Sequence, residues 1–523
     1  LYVAGCRSGA TVCSGNDRNA MHPITGEILT APGAANTQAA IGTPIPGTGD
    51  LYTGVIQSGQ GIAKTAYTWP TMVFAPRFGA AYDIDGTQRY VLRGGIGLFY
   101  DRPEGNTVMG SAANPPYSTS TNLVNGQLQT LGTGLSTIGI PALSVFQYDA
   151  KIPSSVQWNA GVQVALPWAS SLDVSYVGQH GYNMLANNFG FNTNLNAVDF
   201  GAAYLPENQD PTLGESDIPG ATAYPTSLLR PYRNLGAIEA RLTQYHQTFH
   251  SIQTSLNRRF SNGFSFGANY TLSLSFKGNT QLPLRLEHTP DGQYRLRDDW
   301  AEYEKLMEDL GLQRHVLKAN AVWDLPDYRS DSAAGRVIGA IINDWQLSGV
   351  ASFASGAPYD LTYSYLTGGN NVNLTGSPDY AARIVYVGDP GSGCSDNQYA
   401  QFNTASVAGP TYYSLGMESG RNILRGCMDR TIDLALARNF RLGGGRNLQV
   451  RLDAFNAFDA VVINGRVATV QLFSPTDQRV LNSQYNPDGT LNEARLQPKN
   501  AGFGAATSAQ NMRSMQLTVR FSF

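Results

Sequence analysis

The sequence predicts an all-β fold, an antiparallel β-barrel that crosses a membrane with its strands, and three observations carry that prediction. Only 14% of the 523 residues are charged, against roughly a quarter in an ordinary soluble domain. Glycine (56), proline (27), tyrosine (27) and phenylalanine (21) are abundant where helix formers usually dominate. Third, apolar and polar residues alternate over stretches of about ten positions, many times along the chain, and a period of two marks a strand with one greasy and one wet face. Sandwich strands usually run about five or six residues, whereas a tilted membrane strand needs roughly nine to eleven. The stretches here are of the longer kind.

About eleven such strands follow one another, near residues 77–84, 90–100, 155–166, 171–179, 248–260, 263–276, 315–325, 344–354, 429–442, 447–457 and 513–523. In SVQWNAGVQVAL, Val156, Trp158, Ala160, Val162, Val164 and Leu166 lie opposite Gln157, Asn159 and Gln163. In GFSFGANYTLSLSF the apolar set is Phe264, Phe266, Ala268, Tyr270, Leu272, Leu274 and Phe276, with Ser265, Asn269, Thr271, Ser273 and Ser275 between them. The last strand alternates Met515, Leu517, Val519, Phe521 and Phe523 with Gln516, Thr518, Arg520 and Ser522. The wet face would line a lumen, and its charges include Arg93, Asp173, Arg259, Lys318, Asp433, Arg451, Asp453 and Arg520, because a charge facing lipid at the midplane costs a few kcal/mol.

The connections alternate in length. Short reversals carry Asp85-Gly86, Pro167-Trp168, Ser261-Asn262-Gly263 and Gly443-Gly444-Gly445, all turn formers, and one connection on that side, 326–343, is longer. On the other side run long segments, 101–154, 180–247, 277–314, 355–428 and 458–512. Short turns on one side and long loops on the other are the pattern of outer-membrane barrels. Tyr100, Trp168, Trp323, Trp345 and Phe523, near strand ends, suit interfacial girdles.

Other classes are excluded or weakened. With 36 Lys plus Arg against 39 Asp plus Glu, the net charge of −3 argues against nucleic acid as a partner. No apolar run of about 18 residues offers a membrane helix, which leaves a barrel open. The opening LYVAGCRSGATVC has neither a basic nor an apolar signal region and no initiator Met, so the chain reads as an internal fragment. Cys6, Cys13, Cys394 and Cys427 sit in segments dense with small polar residues; pairing of Cys6 with Cys13 and of Cys394 with Cys427 fits an oxidising compartment, and free loop thiols are the alternative. No spacing supports zinc. His246 and His250, four apart, would share a strand face, but a strand entry needs no metal. Asp83-Ile84-Asp85-Gly86 begins like a calcium loop yet lacks the downstream Glu, so a hairpin turn is expected. Gly94, Gly95 and Gly97 make no phosphate cradle. The segment RDDWAEYEKLMEDLGLQRH has helical spacing, with Asp298 or Asp299 as cap and Trp300, Tyr303, Met307 and Leu310 as an apolar stripe. No nucleophile and base arrangement, carboxylate pair or cofactor motif emerges, so no catalytic residue and no cofactor is expected.

Seven segments in order resemble the C-terminal barrel region of TonB-dependent outer-membrane receptors, specifically the Oar-like group: APRFGAAYDIDGTQRYVLRGGIGLFYDR, SVQWNAGVQVALPWASSLDVSYVGQHG, HSIQTSLNRRFSNGFSFGANYTLSLSF, DWQLSGVASFASGAPY, GRNILRGCMDRTIDLALARNF, LQVRLDAFNAFD and the terminal MQLTVRFSF. The resemblance implies a bacterial outer-membrane transporter with about 22 strands, of which these eleven are the second half. It also implies a plug domain, a box that contacts the TonB complex and often a small carboxypeptidase-regulatory-like β domain, all in a missing N-terminal region. Residues 1–76 would then form an extracellular loop segment and 77–523 the barrel strands, with outer-membrane lipid around them. The terminal aromatics Phe521 and Phe523 resemble the signal read by the barrel-assembly machinery. Two rival expectations stand beside uptake of a bulky ligand: a passive porin, and a surface protein for adhesion or export.

Overall fold

The computed structural model describes residues 1–523 except 51, 66, 69, 103, 116–117, 119–120, 125–128, 130–134, 186–193, 280–285, 289–293, 297–306, 417 and 511. Eleven long strands occupy the positions that the alternation predicts: β1 Arg77–Asp83, β2 Tyr90–Tyr100, β3 Ser154–Leu166, β4 Ser170–Leu185, β5 Thr243–Ser261, β6 Phe264–Asn279, β7 His315–Asp324, β8 Trp345–Ala354, β9 Asp429–Gly443, β10 Arg446–Phe455 and β11 Ser514–Ser522. They pair in chain order as a single antiparallel meander, and the short strand Met307–Asp309 adds to the upper end of β6. β1 and β11 are the edges, and among the described residues nothing pairs with their outer sides. The sheet is therefore open.

The turns form for local reasons. Asn262 and Gly263, and again Gly444 and Gly445, adopt positive φ in succession, the two-residue geometry whose twist matches that of the flanking strands. At Asp83–Gly86 the carboxylates serve the turn itself: Asp85 accepts from Thr87 N at 3.0 Å and Asp83 from Gln88 N at 2.8 Å.

Register carries the two faces across the whole sheet. One row joins Leu92, Val162 and Val174, and another joins Phe264, Trp323, Leu347, Leu436, Leu452 and Leu517. This apolar face is uncovered: Phe78 is 72% exposed and Leu517 66%. One expectation needs correction. Ser251 of β5 opposes Ser273 while the adjacent His250 opposes Ser275, so Leu274 is the extra residue of a bulge. Phe276 consequently sits opposite Phe249, on the face of Ser251 and Gln253 rather than with Phe264 to Leu272. The expected helix at 297–315 lies largely outside the described residues, and its described part begins as a strand, Met307–Asp309.

The long connection 326–343 contains a helix that the sequence reading does not anticipate, α1 Ala333–Ile342, capped by Ser332, whose hydroxyl accepts from Gly335 N at 2.9 Å.

Most fully buried large side chains, such as Leu374, Leu424, Leu472, Gln401 and Val470, lie in the long segments rather than in the sheet. Those segments interlock into a folded cap. Thr362–Tyr365 pairs in parallel with Thr469–Leu472, and Leu361, Ile384, Phe402, Leu424, Val470, Leu472 and Phe503 form a core drawn from two different loops. A third loop joins through Arg230 and Asp379 at 3.1 Å and through Phe200 stacked on Tyr380 at 4.3 Å. The N-terminal hairpin, Val3–Cys6 with Arg18–Met21, docks on this third loop: Arg18 meets the fully buried carboxylate of Asp210 at 2.6 Å and donates to Thr212 Oγ1. Removing one partner of a buried pair strands the other, at about 3–5 kcal/mol. Asp210→Ala is therefore expected to undock residues 2–43, read as accelerated amide exchange there with the exchange of β3 to β10 unchanged.

Candidate functional site

Two surfaces can carry function: the polar face of the sheet and a cleft within the cap. Strand register places Arg93, Asp173, Lys318, Asp433, Arg451, Asp453 and Arg520 on one face, opposite the apolar rows, whereas Arg259 falls in the irregularity between Arg258 and Ser261 where the register with β6 shifts, and no cross-strand partner fixes its face. A single row across that face reads Gln163, Asp173, Ser255, Asn269, Lys318, Ser352 and Thr431. Their engagements differ. Arg451 pairs with Asp453 at 2.8 Å. Asp173 accepts from Ser175 Oγ at 2.7 Å. Asp433 accepts from Asn456 N at 2.8 Å, which ties it to the chain leaving β10. Arg93, Arg259, Lys318 and Arg520 have no ion-pair partner among the described residues.

Sequence reasoning confined to charges missed the amides between them. Asn257 donates to Ser255 Oγ at 2.7 Å and Ser255 to Asn269 Oδ1 at 2.9 Å. Gly267 leaves the space for this cluster, since a Cβ there would lie 2.9 Å from Asn320 Oδ1 and 3.0 Å from Asn257 Oδ1. Arg77, also on this face opposite Gly97, stacks its guanidinium on Phe99 at 4.5 Å. The same period of two that located the charges marks these residues as well.

On the apolar face, aromatic and imidazole groups gather toward the long-loop end. Tyr176 Oη lies 2.7 Å from His250 Nδ1, and Trp158 packs edge-on to the same imidazole. Tyr270 and His315 repeat the pairing at 2.8 Å. His250 is thus engaged by Tyr176 and Trp158, aromatics of the kind that gather in a girdle. Trp158 lies over Gly178, where any Cβ would overlap the indole. At the opposite end Trp168 and Phe523 are 79% and 98% exposed, Trp345 stacks with Arg438, and Phe521 lies against Phe523 with ring centres 6.0 Å apart.

The structure bonds Cys6 to Cys13 and Cys394 to Cys427. The second bridge closes a loop of the cap beside Gln401, whose amide donates to Ser395 O and Asn397 O at 2.9 Å each. Cys6, Cys13 and Asp17 are the one grouping of three possible metal ligands among the described residues, and both sulfurs are held in the disulfide.

Within the cap, a cleft of about 540 Å³ opens where two loops meet, lined by Phe200, Asp360, Tyr363, Tyr380, Arg383 and Arg421 among others. Arg383 is positioned by donation to Ser419 O at 2.8 Å, and its backbone N–H donates to Glu418 at 2.9 Å. Burial lifts the Asp360 carboxyl above the usual carboxylate range even though Asn422 N donates to it. The cleft combines aromatic faces with two guanidinium groups and the carboxyl groups of Asp360 and Asp379, a lining suited to polar ligands with planar parts.

An open sheet with an uncovered apolar face, a hydrogen-bonded polar face, tight turns at one end and a folded cap at the other is the wall of a membrane barrel. The sequence agrees: a family profile described as outer membrane beta barrel domain matches residues 27–516, and the chain belongs to that family. Membership places the protein in the bacterial outer membrane. No helix among the described residues is long and apolar enough to cross a membrane. Comparison with curated proteins gives no match. Among solved structures, a mutant of the ferric enterobactin receptor PfeA from Pseudomonas aeruginosa is similar with a TM-score of 0.37 at 13% identity, over 86% of this chain and 40% of that one. The outer membrane transporter YddB from Escherichia coli gives 0.37 at 10% identity, over 78% and 38%. The ferripyoverdine receptor of Pseudomonas aeruginosa gives 0.33 at 9%, over 85% and 32%. The chain spans less than half the length of each.

Proposed function

We propose that the chain is the C-terminal part of a TonB-dependent outer-membrane receptor of the Oar-like type, which takes up a bulky ligand. Upstream strands would complete a barrel of about 22 strands around a plug. In this reading the polar face is the lumen wall, residues 1–76 and the long loops lie outside the cell, and the short turns face the periplasm. The observation that carries it is the set Arg93, Lys318 and Arg520, cations on one face of the sheet with no ion-pair partner among the described residues. Carboxylates of a plug would pair with them, and a pull from the TonB complex would break those contacts in sequence. The cap cleft, with Arg383, Arg421, Tyr363 and Tyr380, supplies the first ligand contacts. Phe521 and Phe523 would present the strand end to the barrel-assembly machinery.

The test is the conductance of the full-length protein in planar bilayers. A plugged receptor is expected to be silent in buffer and to open reversibly when urea unfolds the plug. Arg93→Glu with Lys318→Glu should lower the urea concentration needed to open it. Steady conductance in buffer alone would instead identify an open diffusion porin.

A further inference from the structure

The helix α1 is built the wrong way round for a soluble turn. Its two buried positions are glycines: Gly335 lies against Ser330 and Gly339 against the backbone of Tyr328. Its apolar side chains point away from the protein, with Val337 63% and Ile341 61% exposed and Ile338 and Ile342 beside them. On a helical projection these four form one stripe, and Arg336 lies on the opposite side.

The way the helix is held fixes where that stripe points. Trp345 Nε1 donates to Ile341 O at 3.1 Å. Arg438 donates to Asn343 O at 3.2 Å and also to Ala340 O, while its guanidinium stacks on Phe440 at 4.5 Å. Trp345 and Arg438 are cross-strand partners on the apolar face of the sheet, in alternation with Leu347 and Leu436. The groups that grip the C-terminal turn of α1 therefore reach it from the lipid-facing side, at the end of the strands where the turns are short. Directly above, small residues Ala319, Ala321 and Gly349 between Phe266, Trp323 and Leu434 leave a shallow apolar groove of about 330 Å³, and its lower margin, Leu347, is two residues from Trp345.

We propose that α1 is a membrane-interface anchor: it lies in the headgroup region of the periplasmic leaflet with its Val337, Ile338, Ile341 and Ile342 stripe among phospholipid acyl chains, one of which occupies the groove above it. The occupant is phospholipid because the stripe continues an apolar surface that already faces lipid and the cationic and indole groups at its border are those that settle at headgroups. The proposal needs only the outer-membrane barrel and is independent of the receptor reading.

The experiment uses the full-length protein in vesicles of phosphatidylethanolamine and phosphatidylglycerol. Val337, Ile341 and Arg336 are replaced singly by Cys and labelled with an environment-sensitive fluorophore, the four cysteines of residues 1–523 being held in disulfides and unsubstituted protein serving as the labelling control. Labels at 337 and 341 should emit at shorter wavelength and be quenched several-fold more by lipid carrying a nitroxide near the glycerol backbone than by aqueous iodide, with the order reversed at 336. A second measurement needs no substitution: a photoactivatable phospholipid with its reactive group high in the acyl chain should label the peptide containing 333–342. Equal access of iodide to all three sites, or labelling of the strands without this peptide, would overturn the proposal. Shielding in native outer membranes that is lost in vesicles would assign the face to a protein partner and overturn it equally.

Discussion

Leu272→Arg and Val519→Arg are each expected to abolish assembly of the barrel, whereas Asn269→Arg is tolerated. Leu272 shares its face with Ile252 and His315, and Val519 with Val450, so an arginine there enters the apolar face, at about 2–4 kcal/mol at the midplane and less toward the interface where Leu272 meets His315. Asn269, three residues from Leu272, lies on the polar face opposite Ser255 and Lys318. The readout is the heat-modifiable band of folded protein in outer-membrane fractions. Equal loss in all three variants would mean that the faces have been assigned the wrong way.

The second large effect concerns the edges. The outer sides of β1, seven residues, and β11, nine residues, present backbone N–H and C=O groups to which no described strand bonds. In lipid each unmet group costs several kcal/mol, and an open edge also invites association with other strands. Residues 1–523 expressed alone are therefore expected to aggregate. Co-expression with a segment that supplies the missing strands should give a detergent-soluble, protease-resistant species. A monodisperse, heat-modifiable barrel with stable conductance from these residues alone would end the half-barrel reading.

The strands were legible in the sequence because membrane burial imposes a period of two along every one of them, and the turns because Asn-Gly and Gly-Gly pairs announce positive φ. The bulge at Leu274 was not, because Leu272, Leu274 and Phe276 continue the apolar alternation through it, and only the pairing partner reveals the slip. The helix α1 was hidden by its composition: AAGRVIGAII holds two glycines and three isoleucines, poor helix formers on local preference, and the grip of Arg438 comes from far along the chain. The same distance concealed the cap cleft. Phe200 and Arg421 belong to different loops, and no local pattern marks them as neighbours. The charges that share the polar face of the sheet, by contrast, needed only the alternation, Arg259 excepted because the register shifts beside it, and the amide cluster around Gly267 shows that charge alone was too narrow a criterion.

The parallel pairing of Thr362–Tyr365 with Thr469–Leu472 bears on how this surface can evolve. Connecting loops commonly vary in sequence and length more freely than the elements they join. Here two loops share one β ladder and one core, so a change of length in either disturbs the other. Diversification of this end of the protein must therefore proceed by correlated substitution in both segments, and chimeras that exchange the pair together should fold where those that exchange one loop do not.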